Sequence, residues 1–189
     1  MFRFDAEKAV QAACVLLEVE GGRMSYFRLL KLLYIADRQS MKETGFPITM
    51  SHSSALPHGP IQSEIYDLIK GSRTDVSKWS SHVRTHGYQV IAIPDSDPGR
   101  GKLSRYEVRK LRDVTEMHEA IGDWELAGIT HEFGEFIKHR PDSKDSAASN
   151  PIPLGDILDE VGRKEEKDAI LEDLRNKGRV DDLVASYRQ

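Results

Sequence analysis

Seven histidines are the residues of this chain that could bind a metal ion or transfer a proton. His82 and His86 lie on one face of a predicted strand, but a rise of ~3.3 Å per residue places them roughly 13 Å apart. On a continuous helix, His131 and His139 lie about 12 Å apart. One zinc ion cannot bridge either distance, because its bonds to histidine are only about 2 Å long. The spacing therefore predicts that the chain has no metal site.

His58 stands in the stretch ALPHGPIQSEIYDLIKG, residues 55–71. Gly59-Pro60 interrupts a preceding element, and Pro60 suits the first position of a helix, where its missing N–H costs nothing. An apolar stripe at helical spacing follows, formed by Ile61, Ile65 and Leu68. We therefore predict a structural hinge at His58-Gly59-Pro60 and a short amphipathic helix over residues 60–70.

A catalytic nucleophile has no recognisable motif in this sequence. There is no GxSxG elbow, and Cys14, the single cysteine, lies among apolar residues with no histidine near it in sequence. The P-loop and GxGxxG patterns are also absent, which predicts that the chain binds no cofactor. Two interpretations of His58 and His131 stay open. They could form the centre of a hydrolase, or they could make structural hydrogen bonds.

Two groups of basic residues could bind a partner. Arg105, Arg109 and Arg112 recur at i, i+4 and i+7, so they share one helix face that could contact phosphate or an acidic protein. Glu107 and Asp113 lie close by in sequence, and a solvated helix face is therefore the alternative interpretation. The second group lies on another predicted helix and consists of Arg28, Lys31, Arg38 and Lys42.

The composition limits the class of protein. A chain of 189 residues that is 39% hydrophobic and 31% charged can bury one core and is too polar for a membrane protein. No apolar run approaches the ~18 residues of a membrane span, and the start MFRFDAEKAV lacks the apolar core of a signal peptide. One cysteine allows no internal disulfide. These features predict a cytoplasmic protein without a membrane partner.

The formal net charge of −4 comes from the end of the chain. Residues 141–189 hold 12 acidic and 8 basic side chains, whereas residues 1–140 hold 19 of each. A stretch without net charge has no general electrostatic attraction for nucleic acid. We therefore expect no nucleic-acid partner, although a DNA-binding regulator of its own operon stays open as an alternative.

Hydrophobic periodicity predicts a mainly helical α+β fold, in which a compact helical domain carries a small β-hairpin. Helices are predicted over residues 5–20, 24–43, 60–70, 104–121 and 123–130. Ser104 and Glu107 have the spacing of a capping box. β-Branched and aromatic residues on both sides of His86-Gly87 predict a hairpin within residues 79–93.

The chain divides into three predicted segments. Residues 1–140 form the main domain, and residues 141–153 form a loop or linker, because they are rich in Ser, Asp and Pro. Residues 154–189 form an acidic helical extension. We expect it to pack on the domain through an apolar stripe formed by Leu154, Ile157, Leu158 and Val161.

Three separated stretches resemble one known family: RLLKLLYIAD at 28–37, HGPIQSEIYDLIKG at 58–71 and GDWELAGITH at 122–131. The chain is similar to the Panacea domain, the SocA-like antitoxin family of bacterial and phage toxin–antitoxin systems. The resemblance covers about residues 5–161 in the right order and spacing. The motif positions that match include Tyr34, Gly59, Pro60, Glu64, Tyr66, Thr130 and His131, with His58 beside them in the second motif.

The resemblance implies the function and the partners. It implies an antitoxin, not an enzyme, that binds and neutralises a cognate protein toxin encoded next to it, with a role in phage defence. It also implies a protease or chaperone as a further partner if the chain acts as an adaptor. We expect the toxin to contact an exposed surface that includes Lys31 or the strip formed by Arg105, Arg109 and Arg112.

Overall fold

The structure is a computed structural model that describes residues 3–142 and 148–186. Its helices are α1 (Ala6–Val19), α2 (Tyr26–Thr44), α3 (Ser63–Lys70), α4 (Val76–Ser80), α5 (Arg105–Met117), α6 (Asp123–His131), α7 (Gly134–His139), α8 (Leu154–Glu160) and α9 (Lys167–Ser186). Its strands are β1 (Arg23–Ser25), β2 (Ser53–Leu56), β3 (Gly59–Gln62), β4 (Val83–His86), β5 (Gln89–Ala92) and β6 (Asn150–Ile152). The predicted mainly helical α+β fold is confirmed. None of the helices in this part of the chain combines the length and the apolar character that a membrane span requires.

Helix α2 forms the centre of the fold. Leu29 and Leu32 are fully buried, and α1, α5 and α6 pack around the helix. Ser25 caps its first turn by accepting a hydrogen bond from the backbone N–H of Arg28 at 3.0 Å. Gly45 ends the helix in the left-handed conformation, with φ of 85°. The apolar character that the sequence shows on nearly all sides of α2 therefore reflects neighbours on nearly all sides.

One antiparallel sheet has the strand order β1-β5-β4. The predicted hairpin is confirmed as β4 and β5, and its turn contains Gly87 at φ +58°. Trp79, the first residue of the predicted hairpin segment, belongs instead to α4, where its ring is buried. Strand β1 pairs with the other edge of β5 and leads directly into α2. This sheet therefore fixes where α2 begins.

The second sheet, with strand order β3-β2-β6, corrects the prediction for the segment after His58. Gly59–Gln62 form β3, which pairs with β2 so that Pro60 lies opposite Ala55. Helix α3 begins only at Ser63, and the predicted helix start at Pro60 is wrong. His58 therefore lies in the turn of a β-hairpin instead of in front of a helix.

The physical reason for this difference is pairing with a distant segment. Ile61 shares helical spacing with Ile65, but it is buried as a strand residue of β3, whereas Ile65 belongs to α3. Pro60 is tolerated in β3 because β3 is an edge strand, where a missing N–H removes no ladder bond on the open side. A local hydrophobic pattern cannot show such pairing.

The segment after residue 148 returns to the domain. Asn150–Ile152, part of the predicted loop 141–153, forms β6, with Ile152 paired opposite Ser53 of β2. Residues 143–147 of that predicted loop lie outside the described residues. Helices α8 and α9 follow, and they complete a second apolar cluster under α2 that includes Tyr34, Met41, Phe136, Ile157, Leu158, Val161, Ile170 and Leu174.

Candidate partner-binding groove

A groove of about 490 Å³ opens where the first turn of α2 meets the β2–β3 turn and the start of α6. We call it the aromatic groove, after the five Tyr, Phe and Trp side chains in its lining: Tyr26, Phe27, Tyr66, Tyr88 and Trp124. Trp124 is 72% exposed and Tyr88 is 74% exposed, although both are large apolar side chains. Exposed aromatic side chains around a concave surface are typical of a binding site.

The rings of the aromatic groove hold one another in place. Tyr26 stacks on Tyr88 with 5.6 Å between ring centroids, and it also contacts Tyr66 at 6.2 Å. Phe27 and Trp124 lie 5.2 Å apart in a tilted arrangement. Aromatic pairs at these distances are favourable, so the groove is formed before any partner arrives.

The side of the groove next to Trp124 is fixed by polar contacts at the start of α2. Ser25 donates a hydrogen bond to Asp123 Oδ2 at 2.5 Å. Arg28 forms an ion pair with Glu20 at 2.7 Å and donates two further hydrogen bonds to backbone carbonyl groups after α5. Arg28 is buried and therefore serves the fold, although the sequence placed it in a basic strip together with Lys31.

Lys31 lies at the floor of the aromatic groove. Only 1% of its surface is exposed, so it is not part of an exposed surface. Its ammonium group donates a hydrogen bond to the carbonyl oxygen of Pro60 at 2.8 Å and lies 5.1 Å from the centroid of the Phe27 ring. Burial lowers the pKa of Lys31 to about 7, because desolvation disfavours the charged form.

Gly59 allows the β2–β3 turn to approach Lys31 closely. Its φ of +104° lies in the region that favours glycine. A Cβ atom on Gly59 would lie 2.9 Å from Lys31 Nζ and 2.9 Å from Thr130 Oγ1. A side chain at position 59 is therefore disfavoured by the backbone conformation, and it would also displace Lys31 Nζ and Thr130 Oγ1.

The structure brings His58 and His131 together beside this turn. The exposed His58 ring meets the Trp124 ring edge-on, with 5.6 Å between centroids. The His131 ring stacks on Phe136 at 5.0 Å, and the His58 backbone lies near enough to it to affect the pKa of His131. Burial lowers the pKa of His131, and its Nε2 atom is buried without a hydrogen-bond partner among the described residues. Thr130, next to it, donates to the carbonyl of Ala127 at 2.8 Å.

The other motif residues of α2 and α3 have structural contacts. Glu64 accepts hydrogen bonds from Ser51 Oγ and from the backbone N–H of His52, each at 2.7 Å. Burial raises the pKa of the Glu64 carboxyl, but hydrogen bonds from His52 and Ser51 outweigh it and lower the pKa to about 2. Tyr34 donates to the buried Glu135 carboxylate at 3.2 Å and so ties α2 to α7. Tyr66 belongs to the groove.

Asp37 is a buried carboxylate that the sequence did not single out. It accepts hydrogen bonds from the backbone N–H groups of Ile48 and Thr49 at 2.8 and 2.9 Å, and from Thr49 Oγ1 at 2.5 Å. Burial raises its pKa. Its place directly after the apolar run LLYIA is the one sequence signal for such a role, and its function is to hold the chain that leads into β2.

The predicted arginine strip lies elsewhere, on α5. Arg105 and Arg109 are exposed, whereas Arg112 forms an ion pair with Glu18 at 2.8 Å. None of the three lines the aromatic groove. The sequence analysis therefore found the lysine and the histidine of the groove, but it missed the exposed rings of Tyr88 and Trp124, because exposure is not visible in the local pattern.

No three or more His, Cys, Asp or Glu side chains in the described ranges form a group that could hold a metal ion.

A family model described as "Antitoxin SocA-like, Panacea domain" matches residues 29–135. The match extends from α2 into α7 and includes Lys31, the β2–β3 turn and Trp124. Neither the comparison with curated proteins nor the comparison with solved structures gives a match.

Proposed function

This chain belongs to the Panacea domain family of SocA-like antitoxins, and we propose that it binds and neutralises a protein toxin encoded next to its own gene. The observation that carries the proposal is the family match over residues 29–135. The aromatic groove supports it, because most of its floor and its Trp124 wall lie within the matched residues.

The groove has the features of a site that anchors a protein partner. Trp124 and Tyr88 are exposed, and tryptophan and tyrosine are among the residues that contribute most binding energy at interfaces. Their contacts with Phe27 and Tyr26 restrict them before binding, which reduces the entropy lost on association. This groove holds the toxin, and the active surface of the toxin is covered as long as the complex lasts.

The exposed face of α5 supplies a second contact in this proposal. Arg105 and Arg109 form no ion pair among the described residues, so their charge is available to an acidic surface of the toxin. Charged groups at the rim of an interface mainly increase the rate of association. The arginines therefore speed the encounter, and the groove holds the complex together.

Coexpression tests the proposed function. The neighbouring gene alone should stop growth, and coexpression of this chain should restore it. Trp124→Ala should weaken the rescue, whereas the control Met117→Ala, which also shortens an exposed apolar side chain, should not. A neighbouring gene that is harmless, or a toxin that this chain neither binds nor neutralises, would contradict the proposal. Toxin abundance in the rescued cells separates occlusion from delivery to a protease.

A hydrolase is the second candidate, because one observation favours it. Lys31 and His58 line the groove, and His131 lies close enough to feel the charge of both. The pKa of Lys31 is lowered to about 7, a value suited to a base or a nucleophile. Titration of the toxin with the antitoxin separates the candidates. Binding ends at a fixed molar ratio, whereas an enzyme neutralises many equivalents and loses this power in His131→Gln.

A further inference from the structure

Lys31 differs from the other enclosed cations of α2 because it has no carboxylate partner. Arg28 pairs with Glu20 at 2.7 Å, and Arg38 pairs with Glu135 at 2.8 Å. In the described part of the chain, no carboxylate lies within 4 Å of Lys31 Nζ. One carbonyl, from Pro60, accepts one of its three N–H bonds.

A buried ammonium group without a counter-charge is costly, since desolvation is not offset by an ion pair. A methionine of similar volume would fill the same space at the floor of the groove without this cost. Lys31 is one of the residues that line the groove, and the neighbouring Gly59 has no side chain that would cover its ammonium group. These observations together point to a ligand with negative charge.

We propose that Lys31 binds the carboxylate of an acidic side chain, Asp or Glu, that the toxin presents on an otherwise apolar segment. This inference rests on the proposed function, since it names the chemistry that the same groove recognises. The acidic side chain enters beside Phe27 and Trp124 and forms an ion pair with Lys31 Nζ. The apolar neighbours of that residue pack on the exposed rings of the groove.

The surroundings make this ion pair strong and selective. Lys31 is buried beside the Phe27 ring, and the attraction between opposite charges increases as the local dielectric constant falls. The two remaining N–H bonds of Lys31 can be donated to the two carboxylate oxygens. A neutral amide in the same place would leave the ammonium group without a charged partner, so the groove discriminates Glu from Gln.

The shape of the groove favours a side chain over the end of a chain. Aromatic walls continue away from Lys31 to Tyr66 and Tyr88, which gives a passing segment contacts on both sides of its acidic residue. Capture of a C-terminal carboxylate commonly uses a nest of free backbone N–H groups. Here the strand next to Lys31 is already paired with β2, and the groove offers one ammonium group.

Overlapping 12-residue peptides that cover the toxin, each acetylated and amidated, provide the probe, and the peptide from the end of the toxin is tested with a free C-terminal carboxylate as well. Their binding to the full-length chain is measured by fluorescence anisotropy. Peptides that bind should contain Asp or Glu between apolar residues. Replacing that residue by Asn or Gln should weaken binding at least about 30-fold. This comparison uses the unchanged protein, so it does not depend on how any variant folds.

The matched protein variants are Lys31→Met and, as a control, Lys78→Met on the exposed face of α4. Lys31→Met should bind the acidic peptide and its amide counterpart equally well, and its thermal stability should not fall. Lys78→Met should keep the full preference for the acidic peptide. A purely structural role of Lys31 would instead lower stability and leave the preference unchanged.

Separate results overturn the inference and the proposed function. If the chain restores growth but acidic and amide peptides bind equally, or only a peptide with a free C-terminal carboxylate binds, the inference is wrong and the proposed function stands. If the chain neither restores growth nor binds the toxin, the proposed function is wrong and the inference falls with it.

Discussion

Lys31 makes the stability of the free protein depend on pH. Its pKa is lowered to about 7 in the folded chain because the group is buried, whereas its ordinary value is 10.5. Between these two values the unfolded chain binds more protons than the folded chain, so the free energy of unfolding rises with pH. Below pH 7 the destabilisation is complete, because both states then carry the charge.

We therefore expect the unfolding free energy of the unchanged chain to rise between pH 7 and pH 9 by about 2 kcal/mol relative to that of Lys31→Met. Urea denaturation of both proteins at each pH measures the difference. Burial also lowers the pKa of His131, but that group titrates at lower pH and is present in both proteins. Parallel pH profiles for the two proteins would show that Lys31 is not buried as an isolated cation.

Gly59 gives a second prediction at the scale of one residue. Gly59→Ala should lower the unfolding free energy by about 1–3 kcal/mol, because φ of +104° is strained for alanine and its Cβ would meet Lys31 Nζ and Thr130 Oγ1. Thermal unfolding measures the loss. The control is Gly101→Ala, where φ is not in the left-handed region and no atom lies within 4 Å of the new Cβ. Equal midpoints of thermal unfolding for the two variants would show that position 59 does not need glycine.

Individual residues were predictable from the sequence where their reason is local. Ser104 and Glu107 form the capping box that their spacing indicates, and Gly71 ends α3 in the left-handed conformation. Lys31 was expected on an exposed surface, but it is buried between leucines in LLKLLY, and its acceptor Pro60 was assigned to a helix. The sequence therefore singled out Lys31 as a functional candidate but did not predict the side chains and backbone groups that surround it.

Among the elements, the strands around β2 were hardest to predict. β3 is four residues long and β6 is three, and each is stabilised by pairing with β2 and not by its own composition. Asn150-Pro151 is typical of a loop, yet it lies in a sheet because β2 presents a free edge there. Long periodic helices such as α2 and α5 were predictable because their signal is contained in one segment.

Helix α5 carries the prediction for the arginine strip. Arg105→Glu combined with Arg109→Glu should slow association with the toxin about tenfold at low salt, and the effect should shrink as salt increases. Surface plasmon resonance at several salt concentrations measures the rates. The matched control is Arg175→Glu combined with Arg179→Glu, because these exposed residues have the same spacing on α9. Equal association rates for both double variants at low salt would show that α5 plays no part.

At the scale of the whole molecule, the family match ends before the fold does. The matched residues stop at 135, but β6, α8 and α9 lie beyond them and complete both the second sheet and the second apolar cluster. Arg163, between α8 and α9, also donates hydrogen bonds to the carbonyl oxygens of Lys42 and Glu43 at 2.9 and 2.8 Å. The acidic extension thus contacts the end of α2, whose other end forms the aromatic groove.

A truncated chain of residues 1–140 should therefore fail to fold stably. Removal of residues 141–189 exposes the apolar side chains of Tyr34, Met41 and Phe136, which α8 and α9 cover, and it leaves one edge of β2 unpaired. Exposed apolar surface and an open strand edge both promote aggregation. Circular dichroism during heating and light scattering measure the loss, with the full chain as reference.

A separate peptide of residues 148–189 should restore part of the stability, because it carries the covering side chains. If residues 1–140 alone unfold cooperatively at the temperature of the full chain and still neutralise the toxin, the extension is an addition to the domain and not part of its core.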